Sequence, residues 1–197
     1  MKTFAQIVLA GTCLLLVSAC STTSVNLKYA SDSTRVPIAS SKGVSVKPFE
    51  DARGEKDARW FGAIRGGFGN PIKVLNAEKP IGDVVSDAFT EGLKARNALA
   101  GGADAGYELR GIVKRFDCDQ FARREATIEL DLNVKRLSDG TLVFHGTKKS
   151  NIVSGSALNL AAGIFGSIEE LRLVAEQALR EVVDKTLDDP EFLQAVR

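Results

Sequence analysis

Ala126-Thr127-Ile128-Glu129-Leu130-Asp131-Leu132-Asn133-Val134-Lys135 alternates apolar and polar side chains at every step. A strand sends successive side chains to opposite faces, so this stretch predicts a sheet with one dry and one wet face. Asp139-Gly140 downstream is a hairpin turn leading into a further strand over Thr141 to Lys148. Upstream, Tyr107 to Phe116 reads as the preceding strand, with a turn near residue 120. Its spacing puts Tyr107, Leu109 and Val113 on one face, Ile112 and Phe116 on the other.

The dry face of this meander needs a cover, and two helical stripes supply it. Pro80, suited to a first helical turn, precedes Ile81, Val84, Val85, Ala88, Phe89, Gly92 and Leu93 at spacings of three and four. That helix ends near Asn97, with Gly101-Gly102 beyond. Ser167-x-x-Glu170 is a capping box opening a second helix, whose stripe is Ile168, Leu171, Val174, Ala175, Ala178 and Val182. Asp188-Asp189-Pro190 stops it, and a short terminal helix can carry Phe192, Leu193 and Val196. Gly43 to Phe49 supplies a first strand, closed near Pro48 because proline removes a ladder donor. Trp60-Phe61-Gly62 and Gly66-Gly67-Phe68-Gly69-Asn70-Pro71 fall in a long irregular stretch, read as a turn-rich loop with Trp60, Phe61 and Phe68 packed back on the body. The order β-α-β-β-β-α over residues 43–197 predicts a single α+β domain. It would be a two-layer sandwich, a mainly antiparallel sheet of about four strands with two helices on one face.

The amino terminus reads as processing rather than structure. Lys2 gives a positive start, Phe4 to Val17 an apolar run, and Ser18-Ala19 the small residues before a cut, so residues 1–19 are expected to be a signal peptide. Val17-Ser18-Ala19-Cys20 resembles the lipobox of bacterial lipoproteins, in which the cysteine sulfur receives a diacylglyceryl group and its freed amine an acyl chain. Each buried methylene is worth about 0.8 kcal/mol, and two or three chains make anchoring lasting. Ser21 after the cysteine, by the same resemblance, implies sorting to the outer membrane. Residues 20–42, rich in Ser and Thr, are expected to form the lipidated cysteine and a flexible tether, with an r.m.s. span of roughly 25 Å. The alternative is an edge strand at Arg35 to Ala39.

The chain has 26 basic and 25 acidic residues. A balance this even lacks the electrostatic footprint of a nucleic-acid binder. Cys13 leaves with the leader and Cys20 becomes a thioether, so Cys118 remains as the one thiol and no internal disulfide is expected.

The candidate sites are few. Cys118 and His145 are the available nucleophile and base. With turns near 120 and at 139–140, they would lie beside positions 123 and 134 of the middle strand. Eleven residues at ~3.3 Å each separate them by roughly 36 Å, too far for proton transfer. Asp117-Cys118-Asp119 lacks a second cluster with metal-ligand spacing, so no metal site is expected. The glycines of 62–71 lack the Gly-Lys-Ser/Thr ending of a phosphate loop. Asp51-Ala52-Arg53 reads as a local ion pair or turn. Ala157 to Gly166 joins the last strand to the last long helix, yet is almost wholly apolar where connections are usually polar. Exposed, Leu158, Leu160, Ile164 and Phe165 would mark a partner surface; packed as a short helix, they would cover the core edge.

Val44-x-Val46-x-x-Phe49-x-Asp51-x-Arg53, Leu93-Lys-Ala-Arg96-Asn97, the lipobox and the tail Leu187-x-x-x-Glu191-Phe192 resemble the YajG-type lipoproteins of Gram-negative bacteria. The Trp60 to Lys79 stretch departs from that pattern. The resemblance implies an outer-membrane-anchored protein facing the periplasm, with no catalytic residue and no cofactor beyond the covalent lipid on Cys20. The function expected on this basis is non-enzymatic: a binding or scaffold module whose partners are the membrane and envelope proteins. Leu109-x-Gly-x-Val113-x-x-Phe116, with the amphipathic strand and Asp139-Gly140, is similar to auxiliary lipoproteins of ABC-type lipid transporters. It implies the alternative role of an accessory lipoprotein in lipid transport between the two membranes.

Overall fold

A computed structural model describes residues 21–31, 35–40, 42–155 and 167–197. Its strands are β1 (Ser21–Val25), β2 (Gly43–Val46), β3 (Glu50–Asp51), β4 (Trp60–Arg65), β5 (Pro71–Ala77), β6 (Ala105–Gln120), β7 (Arg124–Arg136) and β8 (Leu142–Ser154). Its helices are α1 (Ile81–Ala95), α2 (Ile168–Leu187) and the short α3 (Pro190–Ala195).

All eight strands form one mixed sheet with the path β1-β5-β4-β6-β7-β8. This overturns the expected four-strand, mainly antiparallel sandwich. The meander β6-β7-β8 is antiparallel, but β2, β3 and β4 all pair in parallel with β6, one after another along its outer edge. The strand expected from Gly43 is present as β2, whereas β3, with two residues, is too short to show a period. In β4 the four inner residues are all buried, so its sequence has no alternation to read. The presumed loop at 60–77 is thus the hairpin β4-β5.

The segment expected as a flexible tether is also built in. β1 pairs in parallel with β5, from Ser21 opposite Lys73 to Val25 opposite Ala77, and Val25 and Ile38 are buried. No strand forms at 35–40. Instead the Ile38 amide donates to the Arg96 carbonyl at the end of α1.

The helical stripes pack as the sequence predicts. Ile81, Val84, Val85, Ala88, Phe89, Gly92 and Leu93 are buried, as are Leu171, Val174, Ala175, Ala178 and Val182. The Ser167 side chain accepts from the Glu170 amide at the start of α2. In β6 the expected facing fails at one point. Val113 stands opposite Leu130 and Arg115 opposite Glu129, so Lys114 is an extra residue in a β-bulge. The bulge reverses the phase of the strand. Phe116 therefore joins Leu109 and Val113 in the core instead of opposing them.

Phe49 keys the parallel edge to the helices. It stacks on Phe89 with ring centroids 5.2 Å apart and lies in a notch at Gly111, where a Cβ would come within 2.1 Å of its ring.

Candidate functional site

Three groupings of polar side chains are built into the body, and each is explained by the elements that meet there. The most enclosed centres on Arg96. α1 ends in a Schellman motif: the Asn97 amide donates to the Lys94 carbonyl and the Ala98 amide to the Leu93 carbonyl, with Asn97 at φ 55°. That termination turns Arg96 inward, where its side chain has 0% exposure. Its guanidinium donates to Asp188 Oδ1 at 3.1 and 2.8 Å, Asp184 Oδ1 at 3.0 Å, the Gly92 carbonyl at 3.1 Å and Tyr29 Oη at 3.4 Å. Tyr29 Oη in turn donates to Asp184 at 2.8 Å, and Arg35 pairs with both Asp184 and Asp188. Burial is the main force holding the Tyr29 phenol above its ordinary pKa. Two aspartates at the C-terminal end of α2 oppose the helix dipole, and two arginines compensate them. The network's product is mechanical: it clamps the segment after β1 onto the ends of both long helices.

Arg53 does similar work at the sheet edge. Its side chain is only 4% exposed. It holds Asp51 through two bonds of 2.8 and 2.7 Å, and donates to the carbonyls of Trp60, Phe116 and Ala58. All five guanidinium donors are used. These bonds tie β3, the start of β4 and β6 together, so the Asp51–Arg53 pair is structural. Lysine cannot reproduce the fork. Arg53→Lys is expected to lose about 2–3 kcal/mol of unfolding free energy, read by urea denaturation. The hydrogen bonds from Arg53 hold the Asp51 carboxyl below its ordinary 3.8. A depressed carboxylate binds fewer protons folded than unfolded, so its contribution is complete above about pH 4 and drains away as pH falls through the folded value. Asp51→Asn should flatten the loss of stability below pH 4 in acid titrations of the unfolding midpoint.

The third grouping is the wet face of the meander. Neighbouring strands pair across it: Asn133 with His145 Nδ1 at 2.9 Å, Asp131 with Thr147 at 2.6 Å, and Asn151 with Thr127 at 2.8 Å and Glu125 at 3.0 Å. These are cross-strand pairs of the kind that stabilise an open sheet face.

The paired strands put Cys118 beside Ala126 and His145 beside Asn133. Those positions are seven residues apart along β7, roughly 23 Å, rather than the eleven residues expected. They also lie on opposite faces, so the two side chains cannot share a proton. The Cys118 sulfur is buried against the Leu171 carbonyl at 3.4 Å, and burial, then Asp119 and Asp117, push its thiol well above the ordinary range. Asp117 and Asp119 lie within β6 rather than at a hairpin tip, and are held by Arg115 and Arg65. Among the described residues no group of three or more His, Cys, Asp or Glu could hold a metal ion, and no helix is long and apolar enough to cross a membrane.

A surface groove of about 700 Å³ lies between Arg35 and the outer side of α2 near Arg180 and Glu181. Several of its charges pair with one another, Arg35 with Asp184 and Asp188, and Lys185 with Glu181 at 2.5 Å.

The fold resembles that of protein XCC0632 from Xanthomonas campestris. That DUF330-family protein superposes with a TM-score of 0.62 and 20% identity, over 88% of this chain and 96% of the other. An uncharacterized protein follows at a TM-score of 0.52 and 9% identity, over 84% and 95%. Lipoprotein GNA1162 from Neisseria meningitidis is a much slighter likeness, at 0.31 and 12% identity over 73% and 99%. No protein-family model and no curated protein matches the sequence. At these identities the likeness concerns the fold.

Cys20 and the candidate partner-surface positions Leu158, Leu160, Ile164 and Phe165 lie outside the described residues. Phe68, expected to pack back on the body, is instead fully exposed at the tip of the β4-β5 hairpin, while Phe61 is buried. The buried ends of Arg96 and Arg53 were missed as organising residues. Their signal was present in the Arg96-Asn97 and Asp51-x-Arg53 motifs, which the structure explains as a helix stop and a strand pin.

Proposed function

We propose that the protein is a non-enzymatic, lipid-anchored binding or scaffold module of the cell envelope, held at the outer membrane through Cys20 with its body in the periplasm. The reading rests on one observation: Val17-Ser18-Ala19-Cys20 closes an apolar leader immediately before Ser21, the first residue of β1. An acylated sulfur there would join the lipid to the sheet through a single peptide link, so the anchor would act on a folded body. Anchoring concentrates such a body beside partners on the same leaflet. The YajG-type resemblance is in keeping with this. In its motif Val44 and Phe49 are core residues and Asp51 and Arg53 a structural pair, so it describes a scaffold rather than an active centre. Leu109, Val113 and Phe116, which carry the resemblance to transporter auxiliaries, are likewise core positions. They give the transport role no separate support.

Cells fed radioactive palmitate should label the wild-type chain and not Cys20→Ala. After detergent-free lysis the variant should move from the membrane to the soluble fraction. An unlabelled wild type, or a variant that stays on the membrane, would refute the anchor. Photo-crosslinking in intact cells should then capture envelope proteins. Its failure to capture any, with labelling intact, would remove the binding role alone.

A further inference from the structure

The strand register brings several separate parts of the chain to one end of the sheet. β4 ends at Arg65 beside the end of β6, with Ile64 opposite Gln120. The tip of the β4-β5 hairpin, residues 66–70, and the β6-β7 turn, residues 121–123, therefore stand side by side. β5 begins at this end, and because β1 runs parallel to it, Ser21 lies there too, opposite Lys73. β8 finishes there, with Ser154 opposite Arg124. Two phenylalanines occupy the two tips. Phe68 is fully exposed, Phe121 is 50% exposed, and half-exposed Ile72 and Val153 flank them. The chain's one tryptophan, Trp60, sits at the far end of β4.

An aromatic side chain carries about 150–250 Å² of surface, which Phe68 leaves wholly and Phe121 about half in water. The arginines nearby are matched by acids: Arg65 by Asp119, Arg123 by Glu125 and Arg124 by Glu170. The end is therefore apolar at its points, with three ion pairs and Lys73 around them.

From this geometry we infer that the Phe68 and Phe121 tips form a membrane-seating surface, which inserts into the interfacial region of the leaflet that holds the anchor. The inference deepens the lipid-anchor reading and rests on it. Residue 20 is one peptide link, ~3.8 Å between Cα atoms, from Ser21, and Ser21 is fixed in a paired strand. A lipid attached there has no slack, so the bilayer must lie against this end of the sheet. Burying one phenylalanine is worth about 1.5–3 kcal/mol, so two tips would set the tilt of the body without anchoring it alone.

The test uses the full lipidated protein reconstituted into phosphatidylcholine vesicles that carry brominated acyl chains, with tryptophan fluorescence as the readout. In a Trp60→Phe background, Phe68→Trp and Phe121→Trp should each lose most of their emission to the brominated lipid and shift to shorter wavelength. Leu142→Trp, at the opposite end, should remain unquenched, as should Trp60 in the wild type. Vesicle flotation separates the two ways of failing. Protein that floats with vesicles but keeps its emission at positions 68 and 121 overturns the seating surface and leaves the anchor. Protein that does not float overturns both. Protection of those positions from bromine and from aqueous acrylamide alike would mean that another protein covers them, which also overturns the inference.

Discussion

Replacing Arg96 with methionine will cost about 3–5 kcal/mol of unfolding free energy, because it leaves Asp184 and Asp188 facing each other with only Arg35 to compensate them. For a chain of this size that loss should lower Tm by on the order of 10 °C. The sign follows from burial. Arg96 has no exposed side-chain surface and Asp184 keeps only 10%, so water cannot replace the donor lost at Asp184, although it can reach half-exposed Asp188. Adding Asp184→Asn to the variant should recover part of the loss, since it removes one of the stranded charges; in the wild type the same change should destabilise. Urea denaturation of the four proteins reads the coupling. If Arg96→Met and wild type unfold at the same urea concentration, the clamp is ornamental. The effect should reach the anchor as well. Tyr29 and Arg35 hold the segment after β1 to this network, so its amides should exchange with deuterium much faster in the variant, giving the body slack that the native chain lacks.

Gly111→Ala is expected to cost about 1–3 kcal/mol although it adds a single methyl, since that methyl would overlap the Phe49 ring. Phe49→Ala alone should cost about 3–5 kcal/mol, as the ring is 5% exposed and stacks on Phe89. The informative protein is the double variant. With the ring gone, the Gly111 methyl enters space already vacated, so the second substitution should add little or even restore stability. Additive losses would mean that Gly111 is required for its backbone rather than for the notch. Because Phe49 joins the β6 edge to α1, both variants should loosen β2 and β3, seen as faster amide exchange at Val44 and Val46.

How much of this was legible depends on the range over which each signal acts. The β7 alternation and the α1 and α2 stripes were read correctly because a strand or helix of more than ten residues repeats its pattern several times. The Lys114 bulge was not legible. One inserted residue reverses the facing of everything beyond it, and only the register against β7 reveals it. β2, β3 and β4 share a single partner strand over non-overlapping stretches, which no local pattern encodes. The exposed Phe68 was misread for a related reason: glycine-rich composition identifies a turn but says nothing about the direction in which its tip points.

The amino-acid order by itself determined the antiparallel meander, the two long helices with their buried faces, and the lipobox-like run ending at Cys20. Each is written in contiguous residues, where periodicity or a short linear motif suffices. Only the tertiary structure decided that eight strands share one sheet, that Arg96 is a buried clamp, and that Ser21, Phe68 and Phe121 meet at one end. Those outcomes depend on pairing between segments tens of residues apart, where the free energy comes from contacts that do not exist until the chain has closed.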